Sequence, residues 1–127
     1  MSGPAYVLSK GFLVGEAIAQ YHFVKLVGSE TINICDTQGE KAIGVAQEEL
    51  TASDATNSRI GNVQILGVSR VIAGAAITEF ANVTVGADGR AEPAILGDVV
   101  VGIAMNAAAA DGDHFDVLLT PSGYIVA

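Results

Sequence analysis

Short runs of apolar residues, separated by turn-forming residues, recur along the whole chain. In most of these runs apolar and polar positions alternate or β-branched residues cluster. Both features are typical of β-strands, because successive side chains of a strand point to opposite faces. The pattern predicts strands over residues 22–27, 31–35, 63–72, 82–85, 90–94, 99–105 and 115–119. We therefore expect a mainly β chain that forms a compact β-barrel-like or β-sandwich-like domain.

The segments between these strands contain recognisable turn signals. Residues 28–30 (GSE) separate the first predicted strand pair, and residues 87–89 (ADG) separate the second. Asp-Gly favours tight hairpin turns, which need a positive φ. Gly67 lies inside the longest predicted strand, where glycine indicates a bulge or bend. Residues 48–55 favour one turn of helix, and the four alanines at 107–110 are too few for a stable helix and are interpreted as a loop.

The pattern repeats once within the chain. Residues 15–24 align with residues 74–83 at an offset of 59, with Gly, Ala, Ile, an aromatic residue and Val in the same order. Three shorter blocks follow in the same order: 43–46 with 101–104, 63–66 with 115–118, and 70–73 with 124–127. Repeats of this kind predict two similar structural units.

The repeat divides the chain into three parts. We predict an N-terminal arm over residues 1–14 and one β-domain built from two copies, 15–73 and 74–127, related by a pseudo-twofold duplication. Gly44 and Gly102 occupy matching positions in the two copies. A missing side chain in a strand allows a neighbouring strand to approach closely. We therefore predict that Gly44 and Gly102 are structural glycines, and that Gly67 at the bulge is a third.

The amino-acid composition argues against some classes of function and favours others. Half of the 127 residues are hydrophobic, and the net charge is −8. The mean hydropathy is +0.47. The chain has six Lys and Arg residues and fourteen Asp and Glu residues. The basic residues are few and scattered along the sequence, which argues against nucleic-acid binding. No apolar run reaches the roughly 18 residues of a membrane span, and we interpret the start of the chain as lacking a signal peptide. The apolar surplus predicts surface that is buried against other subunits.

The best candidate for chemistry is the acidic segment 111–116. Asp111, Asp113, His114 and Asp116 supply three carboxylates and an imidazole within six residues, and carboxylates are ligands for divalent cations. The spacing does not match a calcium-binding loop, however, and a surface turn explains the Asp-Gly-Asp sequence better. We therefore predict no metal ion and no other cofactor.

Catalytic arrangements are also absent from the pattern. His22 and His114 are the only histidines, and no Gly-x-Ser-x-Gly sequence supplies a nucleophile for them. Cys35 is the only cysteine and lies in an apolar strand pattern, where a buried, inert thiol is usual. No catalytic residue is predicted, and the protein is expected not to be an enzyme.

Taken in order, several phrases resemble the capsid decoration (cement) proteins of tailed bacteriophages. The resemblance covers most of the chain from about Gly15 onward, through the phrases AIAQYHFVKLVG, KAIGVAQ, VQILGVSRVIAGAAIT, VTVGADGRAEPA, VVVGIAMNAAAADGD and FDVLL. Residues 43–46, 71–77 and 101–113 match best. The segment 47–62 is longer than is usual in that family.

The resemblance implies a structural virion protein without catalytic residues. It implies a homotrimer that is made in the host cytoplasm, binds the major capsid protein on the outer surface of the phage head, and stabilises the coat lattice. In this interpretation the N-terminal arm is loosely ordered when free and adds a strand to a coat subunit. The residues expected to contact the capsid are Tyr6, Leu8, Lys10, Phe12 and Leu13.

Two other functions remain open at this point. One is a small β-barrel enzyme or ligand- or metal-binding module that uses the acidic segment 111–116. The other is a bacterial self-assembling shell or adhesin-like subunit, which would share the trimer but not the coat partner.

Overall fold

The computed structural model describes residues 5–120 and 125–126. These residues form nine strands and one short helix, so the predicted mainly β fold is confirmed. The helix, α1, spans Ala52–Thr56. The strands are β1 (Ala5–Val14), β2 (Phe23–Gly28), β3 (Thr31–Ile34), β4 (Gly44–Ala46), β5 (Ile60–Ile72), β6 (Asn82–Val85), β7 (Ala91–Pro93), β8 (Gly102–Ala104) and β9 (His114–Leu119).

All nine strands belong to one strongly curved sheet. Its order is β1-β3-β2-β4-β5-β9-β8-β6-β7, and an additional pairing of β1 with β5 closes the first five strands into a barrel. A parallel bridge between Ala73 and Ala91 links the end of β5 to β7, so the remaining strands curl back in the same way. We call β1, β3, β2, β4 and the first half of β5 unit one. Unit two comprises the second half of β5 with β7, β6, β8 and β9.

Strand β5 is shared by the two units and changes direction near its middle. Gly67 has φ +96°, and the register with β1 shifts on both sides of Leu8, which pairs with Leu66. An irregularity of this kind bends a strand and increases its twist. The bulge predicted at Gly67 therefore lies where β5 passes from unit one to unit two.

Residues 5–14 do not form the loosely ordered arm that we expected from the sequence. They form β1, which pairs with β5 from Ala5 to Leu13 and runs parallel to β3 at its end. Phe12 and Val14 are buried in the core, whereas Leu13 between them is exposed, because alternate side chains of a strand share a face. Residues 1–4 lie outside the described residues.

The same hydrogen bonds recur in the two units. The Tyr21 N–H donates to the Ala46 carbonyl at 2.8 Å, and the Phe80 N–H donates to the Ala104 carbonyl at the same distance. Tyr21 and Phe80 also share a positive φ, at 63° and 70°. The reciprocal bridge between Ile18 and Leu50 recurs between Ile77 and Ala108.

The repeated pairing also assigns a counterpart to β1. In unit one Leu13 pairs with Ile60, and in unit two Ile72 pairs with His114. β1 therefore corresponds to the second half of β5, and unit one begins with this strand. The expectation that residues 1–14 have no counterpart in the second copy is wrong for this part of the chain.

Each unit encloses its own apolar core. Eight buried residues form the core of unit one, and each has a counterpart in the larger core of unit two. The matched pairs are Phe12 and Val71, Val14 and Ala73, Ile18 and Ile77, Val24 and Val83, Ile32 and Ala91, Ala46 and Ala104, Leu50 and Ala108, and Val63 and Val117. The last pair corrects the sequence alignment of 63–66 with 115–118, because Val63 pairs with Ala46 as Val117 pairs with Ala104.

The two predicted structural glycines occupy equivalent, crowded positions. A Cβ on Gly44 would collide with the backbone carbonyl oxygen of Gln64, and one on Gly102 would lie 2.6 Å from the carbonyl oxygen of Leu118. Each contact is made with the strand that follows in the barrel wall. Glycine is therefore the residue that allows β4 to approach β5, and β8 to approach β9.

The long segment between β4 and β5 is ordered around α1. Thr51 and Asp54 form a reciprocal capping box, in which each side chain accepts from the other residue's backbone N–H. Arg59 forms ion pairs with Glu48 and Asp54. Within the described residues, no helix has the length and apolar character needed to cross a membrane.

Candidate functional site

The five residues predicted to contact a capsid do not share one environment. Leu8 is 47% exposed and Leu13 is 38% exposed, so both present apolar surface. Phe12 is only 6% exposed and packs in the core of unit one, so its assignment as a contact residue is wrong. The side chain of Tyr6 lies outside the description, although its backbone pairs with Gly67.

Lys10 is held close to the barrel. Its ammonium forms an ion pair with Glu30 and lies 4.8 Å from the centre of the Phe12 ring. The hydrogen bond and charge of Lys10 hold the pKa of the Glu30 carboxyl below its usual range. Both side chains are well exposed, so this pair is available to a partner and contributes little to stability by itself.

The N-terminal half of β1 has one open edge. β5 pairs along one side of the strand, but β3 pairs on the other side only at Leu13 and Val14. Among the described residues, no strand pairs with the second edge of residues 5–12. Such an edge presents backbone donors and acceptors that an extended segment of a partner can pair with.

The side chains of the acidic segment 111–116 form contacts that stabilise the surrounding loop. Asp111 forms an ion pair with Arg90, and Asp113 accepts from the N–H groups of Ala109 and Ala110 at 3.0 and 3.1 Å. Asp116 is buried, and its N–H donates to the Asn106 side chain at 2.9 Å. In residues 5–120 and 125–126, no three acidic, His or Cys side chains form a metal-binding group.

The histidines and the cysteine occupy separate places. Nδ1 of His22 donates to the Gln20 carbonyl at 2.9 Å, and the ring of His114 packs edge-on against Tyr21 with centroids 5.7 Å apart. Cys35 is fully buried, and burial, with a smaller contribution from the charge of Glu40, raises the pKa of its thiol to about 12. The structure therefore brings no nucleophile and base together at these residues.

Exposed apolar side chains are the most conspicuous surface feature, and sequence reasoning identified only two of them. Among the described residues they are Leu8, Leu13, Leu26, Val27, Ile60, Phe80, Ile95, Leu96, Ile103, Met105, Leu118 and Ile125. Many lie on strands whose alternate residues are buried, so strand alternation was the signal that could have found them. Where exposed large apolar side chains adjoin one another, they are typical of surfaces that bind other proteins.

Comparison with known proteins identifies the family of the chain. A family model described as "Phage cement protein" matches residues 10–119. The chain belongs to the phage cement protein family. This cement protein is thus a structural component associated with the phage head and is not an enzyme. The family resemblance inferred from the ordered sequence phrases is confirmed.

A solved structure shares the fold. The chain is similar to a structure titled "The crystal structure of head fiber gp8.5 N base in bacteriophage phi29", with a TM-score of 0.71 and 21% sequence identity. The alignment covers 92% of this cement protein and 97% of the phi29 chain. No curated protein matches the sequence.

Proposed function

We propose that this cement protein binds the outer surface of a phage head as a homotrimer and stabilises the lattice of the major capsid protein. The family match over residues 10–119 carries the proposal, since it places the protein with the phage head. The exposed apolar side chains support it, because a decoration protein needs interfaces with its own copies and with the coat.

The coat contact is proposed to lie on the N-terminal half of β1. Leu8 and the open edge of this strand combine exposed apolar surface with unpaired backbone groups. Lys10 and Leu13, further along the strand, are exposed as well. A trimer presents three such edges, so weak individual contacts add up through avidity without any new interaction.

The net charge supports a protein that stays soluble until it meets the head. The charge of −8 opposes aggregation of the free protein, while local apolar surface drives docking once a complementary partner is met. No cofactor or nucleic acid is required by this proposal.

Co-sedimentation with purified expanded heads tests the proposed function. The expected result is saturable binding of the wild-type protein, with heads that release their DNA at a higher temperature once decorated. The variant Leu8→Asp should bind less, and Ser53→Asp on the exposed helix α1 serves as the control that should bind normally. Absence of saturable binding by the wild-type protein would refute the proposal.

A further inference from the structure

The contact between the two units inside one chain is made by non-equivalent surfaces. Unit one contributes a projecting face, formed by Tyr21, Phe23, Gly39 and Val45. Unit two contributes a receiving face, formed by Val85, Gly89, Val99 and His114. The two faces are different parts of the repeated fold, so each unit possesses both.

Specific contacts define this joint. Tyr21 packs against His114, and the Phe23 N–H donates to the Gly89 carbonyl at 2.8 Å. The backbone of Gly39 hydrogen-bonds both to the end of β6 and to the segment that precedes β8. Its N–H donates to Val85 at 2.9 Å, and its carbonyl accepts from Val99 at 3.0 Å.

Apolar burial accompanies these hydrogen bonds. Phe23 and Val45 extend from the outer surface of unit one and are fully buried in the core cluster of unit two. Gln64, on the same surface, is also fully buried. Phe23, Val45 and Gln64, which face outward from β2, β4 and β5 of unit one, are therefore covered by the neighbouring unit.

The equivalent projecting face of unit two is open. The counterparts of Tyr21, Phe23, Gly39 and Val45 are Phe80, Asn82, Gly97 and Ile103. Phe80 is 70% exposed and Ile103 is 36% exposed, although their counterparts are covered or buried. A Cβ on Gly97 would have no atom within 4 Å, and the residues before it, Ile95 and Leu96, are the exposed apolar tip of this loop.

The equivalent receiving face of unit one is open as well. The counterparts of Val85, Gly89, Val99 and His114 are Leu26, Glu30, Lys41 and Ile60. Leu26 is 50% exposed and Ile60 is 57% exposed. A surface depression of about 310 Å³ lies here, lined by Lys25, Leu26, Glu40, Lys41 and Ile43. This depression is equivalent in position to the site on unit two that the backbone of Gly39 contacts.

We infer that the projecting face of unit two on one chain binds the receiving face of unit one on the next chain, repeating the joint that the chain already makes internally. The occupant of both open faces is thus a second copy of this protein. The joint is head to tail, and a head-to-tail joint closes into a ring when its rotation allows. Three chains would then form a ring of six similar units, and this number rests on the proposed trimer.

This assignment separates the two kinds of interface on β1. Leu13 and Lys10 lie beside Ile60 and Glu30, at the receiving face, so the next chain covers them. The coat contact is then left to Leu8 and the residues that precede it. Leu8→Asp becomes a matched control, because Leu8 is about as exposed as Leu26 but lies on neither face.

Two surface variants test the joint. Phe80→Asp disables the projecting face, and Asp tolerates the positive φ of this position, so the fold should be retained. Ile60→Asp disables the receiving face. By sedimentation velocity each variant should be monomeric under conditions in which the wild type and Leu8→Asp are oligomeric. An equimolar mixture of the two variants should form heterodimers only, since one intact joint remains per pair.

Chemical cross-linking gives a readout that does not depend on those substitutions. A chain carrying both Phe80→Cys and Ile60→Cys, treated with a short bismaleimide, should yield covalent oligomers. The native Cys35 is fully buried and should not react. The matched chain with Phe80→Cys and Leu8→Cys should yield far fewer covalent oligomers.

Four results would overturn the inference: a monomeric wild type at the highest soluble concentration, variants that remain oligomeric, a mixture that regains the full oligomer, or no cross-linking through position 60. Head binding separates the two proposals. If the protein binds heads but the two cysteines do not cross-link, the joint is refuted and the proposed function is retained. If the chains cross-link but the oligomer does not bind heads, the joint is retained and the proposed function is refuted.

Discussion

Phe12→Ala should strongly destabilise this cement protein, because the structure places the residue in a small core rather than on a free arm. Phe12 is 6% exposed and belongs to a cluster of eight buried residues inside unit one. Truncating a buried Phe to Ala costs about 3–5 kcal/mol, since the apolar contacts are lost and a cavity remains. A domain of this size has a total stability of about 5–15 kcal/mol, so the loss is a large fraction.

The neighbouring residue supplies the control. Leu13 lies on the same strand but faces outward at 38% exposure, so Leu13→Ala should cost less than about 1 kcal/mol in the isolated chain. Urea unfolding followed by circular dichroism should separate the two variants, and the melting temperature should fall by roughly 10–20 °C for Phe12→Ala. Both variants must be compared at one protein concentration, because oligomerisation adds apparent stability.

The refuting result is specific. If both variants unfold within about 1 kcal/mol of the wild type, β1 contributes no core and the arm interpretation of residues 5–14 would be restored. If both are equally destabilised, Leu13 is buried in an oligomer that persists during unfolding, and the comparison must be repeated with the Phe80→Asp background.

Three further predictions address separate parts of the molecule. Gly44→Ala and Gly102→Ala should each lower the free energy of unfolding by about 1–3 kcal/mol through backbone displacement, whereas Gly28→Ala, with its nearest contact at 3.9 Å, should be almost silent in the same urea assay. The pKa of Asp54 is lowered mainly by a backbone hydrogen bond at the start of α1, so its contribution to stability is present above about pH 4 and is lost as the pH falls through the lowered value. Asp54→Asn should therefore show a shallower loss of stability in acid than the wild type, and an unchanged profile would contradict this. Cys35, with a thiol pKa of about 12, should resist a thiol reagent at pH 8 in the folded protein and react quickly in urea, and rapid labelling of the folded protein would disprove its burial.

The strands and hairpins were predictable because burial on one face imposes alternation on the sequence. The hairpin around residues 87–89 and the bend at Gly67 were also readable, since both need backbone conformations that glycine adopts easily. The start of the chain was misjudged because Gly3, Pro4 and Gly11 interrupt its apolar pattern. In the structure there is no room for a side chain at Gly11, because a Cβ there would collide with Ile60 on the neighbouring strand.

The surfaces could not be deduced from local pattern. Phe23 and Asn82 occupy equivalent positions, as do Val45 and Ile103, yet the first member of each pair is buried and the second has at least one-third of its surface exposed. Both Val45 and Ile103 are β-branched and apolar, so propensity does not distinguish them. Only the packing of unit one on unit two decides which is covered, and that is a long-range property of the fold.

Cryo-electron microscopy of heads incubated with the purified protein tests the central claim most directly. The account predicts added density on the outer surface of the head, in threefold clusters that each fit three chains, with the Leu8 end of β1 against the coat subunits. Heads without added density, or density on the inner surface, would contradict the account.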